Sequence, residues 1–223
     1  MSIANNLHSI LNSIPKNVSL IAVSKTKPDA AILEAYNAGQ RAFGENKIQE
    51  MAQKYEALPK DIEWHMIGHL QSNKVKYMAH FVHLIHGVDS FKTLKEINKQ
   101  ALKHNRVINC LLQLKIAKED TKFGLSTSEI EAMIVSEEFL ALKNIYIKGF
   151  MGMATFTDDE SIIRDEFKTL QNNYSIFKKT YNTFNFNPSI ISMGMSNDYK
   201  IAIEEGSTMI RVGSLIFGER NYI

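Results

Sequence analysis

The sequence predicts an α/β fold, a single (β/α)8 barrel of the TIM type. Short, apolar, β-rich runs alternate with longer helical patterns from one end of the 223 residues to the other, which implies a parallel sheet covered by helices. The strand-like runs number eight, which favours a closed barrel over an open sheet. The turn after the first of them, Ser24-Lys25-Thr26-Lys27-Pro28, lacks the Gly-x-Gly-x-x-Gly expected of an open dinucleotide-binding sheet.

The first strand, Ser19–Ser24, ends against Lys25. Pro28-Asp29 then opens a helix over Asp29–Ala38, because proline presets the helical φ and an acidic residue suits the positive helix N-terminus; Gly39 fits its exit. Arg41–Gly44 is the second strand and Lys47–Leu58 the second helix; Glu63–Gly68 and Leu70–Ala79 form the third pair. Val82–Gly87 precedes a helix over Ser90–His104, and Val107–Ile116 precedes one over Ser126–Glu137. The latter begins with Ser126 and Glu129 at capping-box spacing. Tyr146–Met151 leads into a long helix, Asp158–Tyr181, entered through the acidic pair Asp158-Asp159. Ser189–Met193 precedes Asp198–Glu205, which exits at Gly206, and Met209–Val212 is the eighth strand. No Pro/Gly/Ser-rich linker divides the chain, so residues 1–223 are expected to form one domain.

Composition narrows the function classes. A net charge of +2 with mixed signs gives no bulk field for nucleic acid or a membrane surface. Cys110 is the only cysteine and lies in an apolar run, which suits a small core residue in a reducing compartment. Residues 1–14 carry no basic segment followed by an apolar one, and no apolar run reaches the ~20 residues of a membrane span. A cytoplasmic monomer is expected.

Barrel active sites lie at the C-terminal strand ends, with phosphates often bound after strands seven and eight. Lys25 follows the first strand, Gly44-Glu45-Asn46 the second and Gly68-His69 the third. Ser192-Met193-Gly194-Met195-Ser196 and Ile210-Arg211-Val212-Gly213-Ser214 place small-residue turns after the last two. A lysine amine near a phosphate nest is what an aldehyde cofactor such as pyridoxal 5′-phosphate needs, since it forms a Schiff base and carries a phosphate. Each residue also has a plainer reading: Lys25 as a solvated surface charge, Ser196 and Ser214 as helix caps, which use the same N–H groups as a phosphate would. Arg211, between Ile210 and Val212, either pairs outward with a helix carboxylate or points inward toward a ring nitrogen or anion.

His65 and His69 are expected on one strand face, with His80, His83 and His86 following, but no carboxylate or cysteine completes a ligand set, so no metal is expected. Trp64 reads as core, and Met151, Met153, Met193 and Met195 as core or pocket lining. No Gly-x-Ser-x-Gly, Walker loop or zinc-helix motif is present.

Six ordered stretches carry a resemblance that covers almost the whole chain: 22–28 (AVSKTKP), 43–50 (FGENKIQE), 64–74 (WHMIGHLQSNK), 149–154 (GFMGMA), 192–198 (SMGMSND) and 210–218 (IRVGSLIFG). On these the sequence resembles the pyridoxal phosphate homeostasis protein family. The resemblance implies an alanine-racemase-like barrel, fold type III of the pyridoxal phosphate proteins, without a second β domain. That agrees with a chain expected to end at Ile223, shortly after the eighth strand. It implies Lys25 as the Schiff-base lysine, Asn46 as pocket lining, Ser196, Gly213 and Ser214 as the phosphate cradle, and Arg211 facing the pyridine nitrogen. His69 stands where members carry proline or histidine.

An arginine does not give up its proton, so the ring stays unprotonated and is a poor electron sink. The family resemblance therefore implies a non-catalytic carrier that holds the cofactor reversibly, serves vitamin B6 homeostasis, affects amino-acid metabolism indirectly and supplies apo-enzymes. The alternative is a weak amino-acid racemase, which needs a second base from His69 or a partner chain. A Schiff-base aldolase is a third reading.

Overall fold

The computed structural model describes residues 2–117 and 123–219, so the expected 1–223 boundaries reach slightly beyond the described residues. Eight parallel strands close into a barrel in chain order: β1 Ser19–Val23, β2 Ala42–Glu45, β3 Glu63–Met66, β4 Leu84–Val88, β5 Ile108–Gln113, β6 Ile145–Met151, β7 Phe186–Ser192 and β8 Met209–Val212. Closure runs through β1 and β8, with Leu20 opposite Ile210 and Ile21 opposite Arg211. The helices are α1 Ile3–Ser13, α2 Asp29–Asn37, α3 Ile48–Ala57, α4 Phe91–Lys103, α5 Thr127–Ile134, α6 Glu137–Leu140, α7 Glu160–Thr180, α8 Tyr199–Glu204 and α9 Ser214–Phe217.

Alternation along each strand divides the apolar residues into two sets. Leu20, Ala22, Phe43, Trp64 and Phe150 face outward and pack with the helices, where α7 presents Ile163, Phe167, Leu170, Tyr174 and Phe177 at helical spacing. Ile21, Leu84, Leu111, Met151 and Met209 form a smaller cluster inside the barrel. Cys110 and Trp64 are fully buried, as the sequence predicts.

The predicted elements are present, with three differences. Residues 3–13, given no element above, form α1: Ser2 caps it by accepting from the Asn5 N–H, and Leu7 and Ile10 bury its inner face. The helix expected over Leu70–Ala79 is a shorter 3₁₀ helix, Ser72–Tyr77, which buries Val75, while Leu70, Met78 and Ala79 are buried outside its ends. The helix expected over Ser126–Glu137 is split, because Ser136 accepts from the Phe139 N–H and starts α6. The Ser126–Glu129 capping box is formed. Gly39 and Gly206 follow α2 and α8 with φ of 101° and 94°.

Candidate functional site

A cavity of about 710 Å³ opens at the C-terminal mouth of the barrel. Lys25, Asn46, Ser196, Arg211, Gly213 and Ser214 all line it, so the fold brings together the six residues expected to hold a cofactor.

Lys25 is half-buried where β1 leaves the barrel. The turn holding it is unusual, because Thr26 adopts φ 64°, a left-handed conformation that a β-branched residue resists. Two bonds fix it: the Thr26 N–H donates to Glu50 Oε1 (2.6 Å), and the Lys27 N–H to the Ser24 carbonyl (3.0 Å). Behind the turn lies a buried ion network. Lys54 Nζ, from α3, donates to Glu45 Oε1 (2.8 Å), Glu50 Oε1 (2.6 Å) and the Ser24 carbonyl (2.9 Å), and the Ser24 hydroxyl donates to Glu45 Oε1 (2.6 Å). Burial raises the Glu45 carboxyl above its ordinary pKa, and the Lys54 ammonium opposes that shift without cancelling it. This network ties the first, second and third elements of the site into one unit.

Arg211 points inward and is 4% exposed, which excludes the outward ion pair. It donates from Nη1 to the Ser192 hydroxyl (2.6 Å) and from Nη2 to the Gly152 carbonyl (3.1 Å). Burial lowers its pKa to about 10, so it remains a cation at neutrality. Ser192 Oγ also bonds His86 Nδ1 (3.0 Å), and His86 Nε2 bonds His65 Nδ1 (2.9 Å). A chain of buried polar groups thus runs from the cavity through the barrel interior. Burial holds His65 at about 3 and His86 well below the usual value, so both rings are neutral.

At the far wall, Ser196 Oγ accepts from the Gly213 N–H (3.3 Å), joining the turns after β7 and β8. Gly194 has φ 96°, and a Cβ there would overlap Ala202, so the turn requires glycine. Lys27 donates to the carbonyls of Phe217 (3.1 Å), Gly218 (2.9 Å) and Glu219 (3.0 Å) and holds the segment after α9. Asn46 Oδ1 is buried with no hydrogen-bond partner among the described residues. A buried acceptor left so costs about 1–3 kcal/mol, which a donor on a ligand would relieve.

Two histidine expectations are corrected. His65 and His69 do not share a strand face, because β3 ends at Met66: His65 faces the barrel interior, whereas His69 lies in the following loop at the cavity rim. There its Nδ1 meets Asp89 Oδ2 at 2.6 Å and its ring stacks on Phe123 with centroids 4.3 Å apart. A carboxylate does join the other histidines: Glu63, His65 and His83 lie together. Lys54, Glu45, His86, Ser192 and Asp89 were given no role in the sequence reading. For Lys54 a signal exists, since Ile48, Met51 and Lys54 are spaced along one face of α3 and all are buried.

Residues 1–221 match the family model of the alanine racemase N-terminal domain. The chain is 40% identical over 204 residues to a pyridoxal phosphate homeostasis protein of Aquifex aeolicus, covering 91% of this chain and 87% of that protein. It is also similar to PipY of Synechococcus elongatus PCC7942, at 34% identity over 97% of this chain and 100% of that one. The TM-score is 0.91 for PipY solved without PLP and 0.87 for PipY with PLP bound.

Proposed function

This chain belongs to the pyridoxal phosphate homeostasis protein family, and from that premise we propose that it binds pyridoxal 5′-phosphate (PLP) reversibly through Lys25 and takes part in intracellular vitamin B6 homeostasis. When bound, PLP supplies an aldehyde that condenses with amines and a phosphate that anchors it. The observation that supports this most is the shared cavity: an amine at the end of β1 and a hydroxyl-lined pair of turns after β7 and β8 face one volume of about 710 Å³, within the usual range for a cofactor pocket.

Lys25 would hold the aldehyde carbon, its position set by the Thr26 turn. Ser196, Gly213 and Ser214 would hold the phosphate, and Asn46 Oδ1 would accept from a polar group of the ring. Arg211, kept charged and held by Ser192 and Gly152, would donate a hydrogen bond toward the ring nitrogen but no proton. With the nitrogen unprotonated, carbanion chemistry is weakly supported, which favours a carrier over a catalyst. Such a carrier, a cytoplasmic monomer occupying residues 1–223, limits the free aldehyde and releases it to apo-enzymes.

Borohydride reduction of the PLP-loaded protein followed by peptide mapping tests the assignment. The phosphopyridoxyl group is expected on Lys25, with Lys25→Ala losing the label. Recovery of the group on another lysine alone overturns it.

The His69–Asp89 pair favours a second reading. A histidine oriented by a carboxylate at 2.6 Å on the cavity rim is a general base in geometry, and a weak racemase would need one. Exchange of an amino acid's α-proton with D₂O, abolished by His69→Ala, would establish that reading. A clear cofactor spectrum without exchange removes it.

A further inference from the structure

The barrel has a second mouth, at the N-terminal strand ends, with a cavity of about 350 Å³ lined by Glu63, His65, His83, Asn109 and Lys148 among others. Nothing in the carrier function uses it. We propose that Glu63, His65 and His83 form a binding site for a divalent first-row transition-metal ion of the Zn²⁺ class.

Each of the three offers one ligand atom, and these atoms all lie within 4.8 Å of one another. Ligands on one Zn²⁺ at ~2.0–2.1 Å sit roughly 3.4 Å apart in a tetrahedron. Glu63 and His83 are exposed, and the site requires their side chains to rotate inward to close the difference. A two-histidine, one-carboxylate set leaves a fourth position for water.

His65 supplies the independent observation. It is 2% exposed, and its Nε2 is buried with no hydrogen-bond partner among the described residues. Its other nitrogen is engaged with His86, which in turn bonds Ser192. Metal-ligating histidines carry this arrangement, one nitrogen on the ion and the other donating to an outer partner that fixes the tautomer. If His65 Nδ1–H donates to His86 Nε2, and His86 Nδ1–H to Ser192 Oγ, then Nε2 of His65 carries a free lone pair on a ring that offers a ligand atom within 4.8 Å of those of Glu63 and His83. Burial keeps His65 neutral, the state a metal requires. The His83 ring lies 5.3 Å from that of His65, tilted by 26°. Lys148 brings a positive charge to the same mouth, with its ammonium 5.0 Å from the Tyr146 ring centroid. Two imidazoles and one carboxylate must bind against that field, which suits an ion held by nitrogen coordination rather than by charge alone.

The test is titration of tag-free, PLP-loaded, chelator-treated protein with ZnCl₂ by calorimetry, and with CoCl₂ by visible absorption. One equivalent is expected to bind, with a cobalt d–d band typical of low coordination number. His83→Ala and Glu63→Gln, both at exposed positions, are each expected to weaken binding at least tenfold while leaving the cofactor absorbance unchanged. His86→Gln, which removes the outer partner, is expected to weaken it 10–100-fold. Absence of saturable binding overturns the proposal. So does one-equivalent binding that neither exposed variant alters, since the ion would then lie elsewhere.

Discussion

Lys54 is a lysine on a surface helix whose ammonium ends inside the protein, bonded to Glu45, Glu50 and the Ser24 carbonyl. Removing it leaves the Glu45 carboxylate buried and unpaired, so Lys54→Ala is expected to lose about 3–5 kcal/mol in urea unfolding. Lys54→Ala with Glu45→Gln should recover part of that loss. The pH dependence has a definite sign. Burial raises the Glu45 pKa in the folded protein, so above the ordinary carboxylate value of 4.5 the native state binds more protons than the unfolded one. The Glu45 contribution to stability therefore falls as pH rises through that window, and more steeply in Lys54→Ala, where the opposing ammonium is gone, whereas the buried, neutral His65 and His86 contribute in the opposite direction below the ordinary histidine value of 6.5. The histidine contribution is common to Lys54→Ala and to Lys54→Ala with Glu45→Gln, so a stability difference between these two that did not change from pH 4.5 to about 7 would contradict this account. Lys25 and Arg211 were legible in the sequence because a charge at or inside an apolar strand is conspicuous. Lys54 was less so, since a lysine on an amphipathic helix reads as solvated and only its spacing with Ile48 and Met51 marks it. Glu63, His65 and His83 were not joined either, because residues distant in the chain, at the starts of β3 and β4, meet only once those two strands pair.

Each element is set by a few local devices, and their cost can be measured one at a time. Gly149 sits where the registers of β6 against both neighbours shift, with φ 151°. A Cβ there would overlap the Ile190 carbonyl oxygen of β7. Gly149→Ala must therefore break a β6–β7 ladder bond or distort both strands, and a loss above about 3 kcal/mol is expected in denaturant unfolding. Ser126→Ala removes the side-chain half of the capping box at α5, leaves the backbone N–H of residue 126 donating to Glu129, and should lose only about 1 kcal/mol. If the two variants proved equally mild, the bulge would not be the constraint described. Legibility at this scale followed the apolar pattern. β8 matches its predicted bounds because four residues and a glycine delimit it. α1 was missed because only Leu7 and Ile10 of its 11 residues are buried, too thin a stripe to stand out among polar neighbours.

At the level of the molecule, the site is carried by a scaffold that closes without it. Every strand is paired on both sides, and the outer core of aromatic and aliphatic side chains lies away from the C-terminal cavity. The protein should thus be folded without cofactor, and PLP should add stability only through mass action. At a hundredfold excess over Kd that is about 2.7 kcal/mol, and at 2–4 °C per kcal/mol for a chain of this size the Tm should rise by roughly 5–11 °C. The rise should grow with the logarithm of PLP concentration. Lys25→Ala should keep a smaller rise, because the turns after β7 and β8 still meet the phosphate. Inorganic phosphate alone should compete with that residual part in the Lys25→Ala protein, since it occupies the same turns. Scanning calorimetry with far-ultraviolet circular dichroism decides the matter: an apoprotein without native secondary structure would mean that the cofactor completes the fold, and the barrel could then not release it to another protein and remain intact.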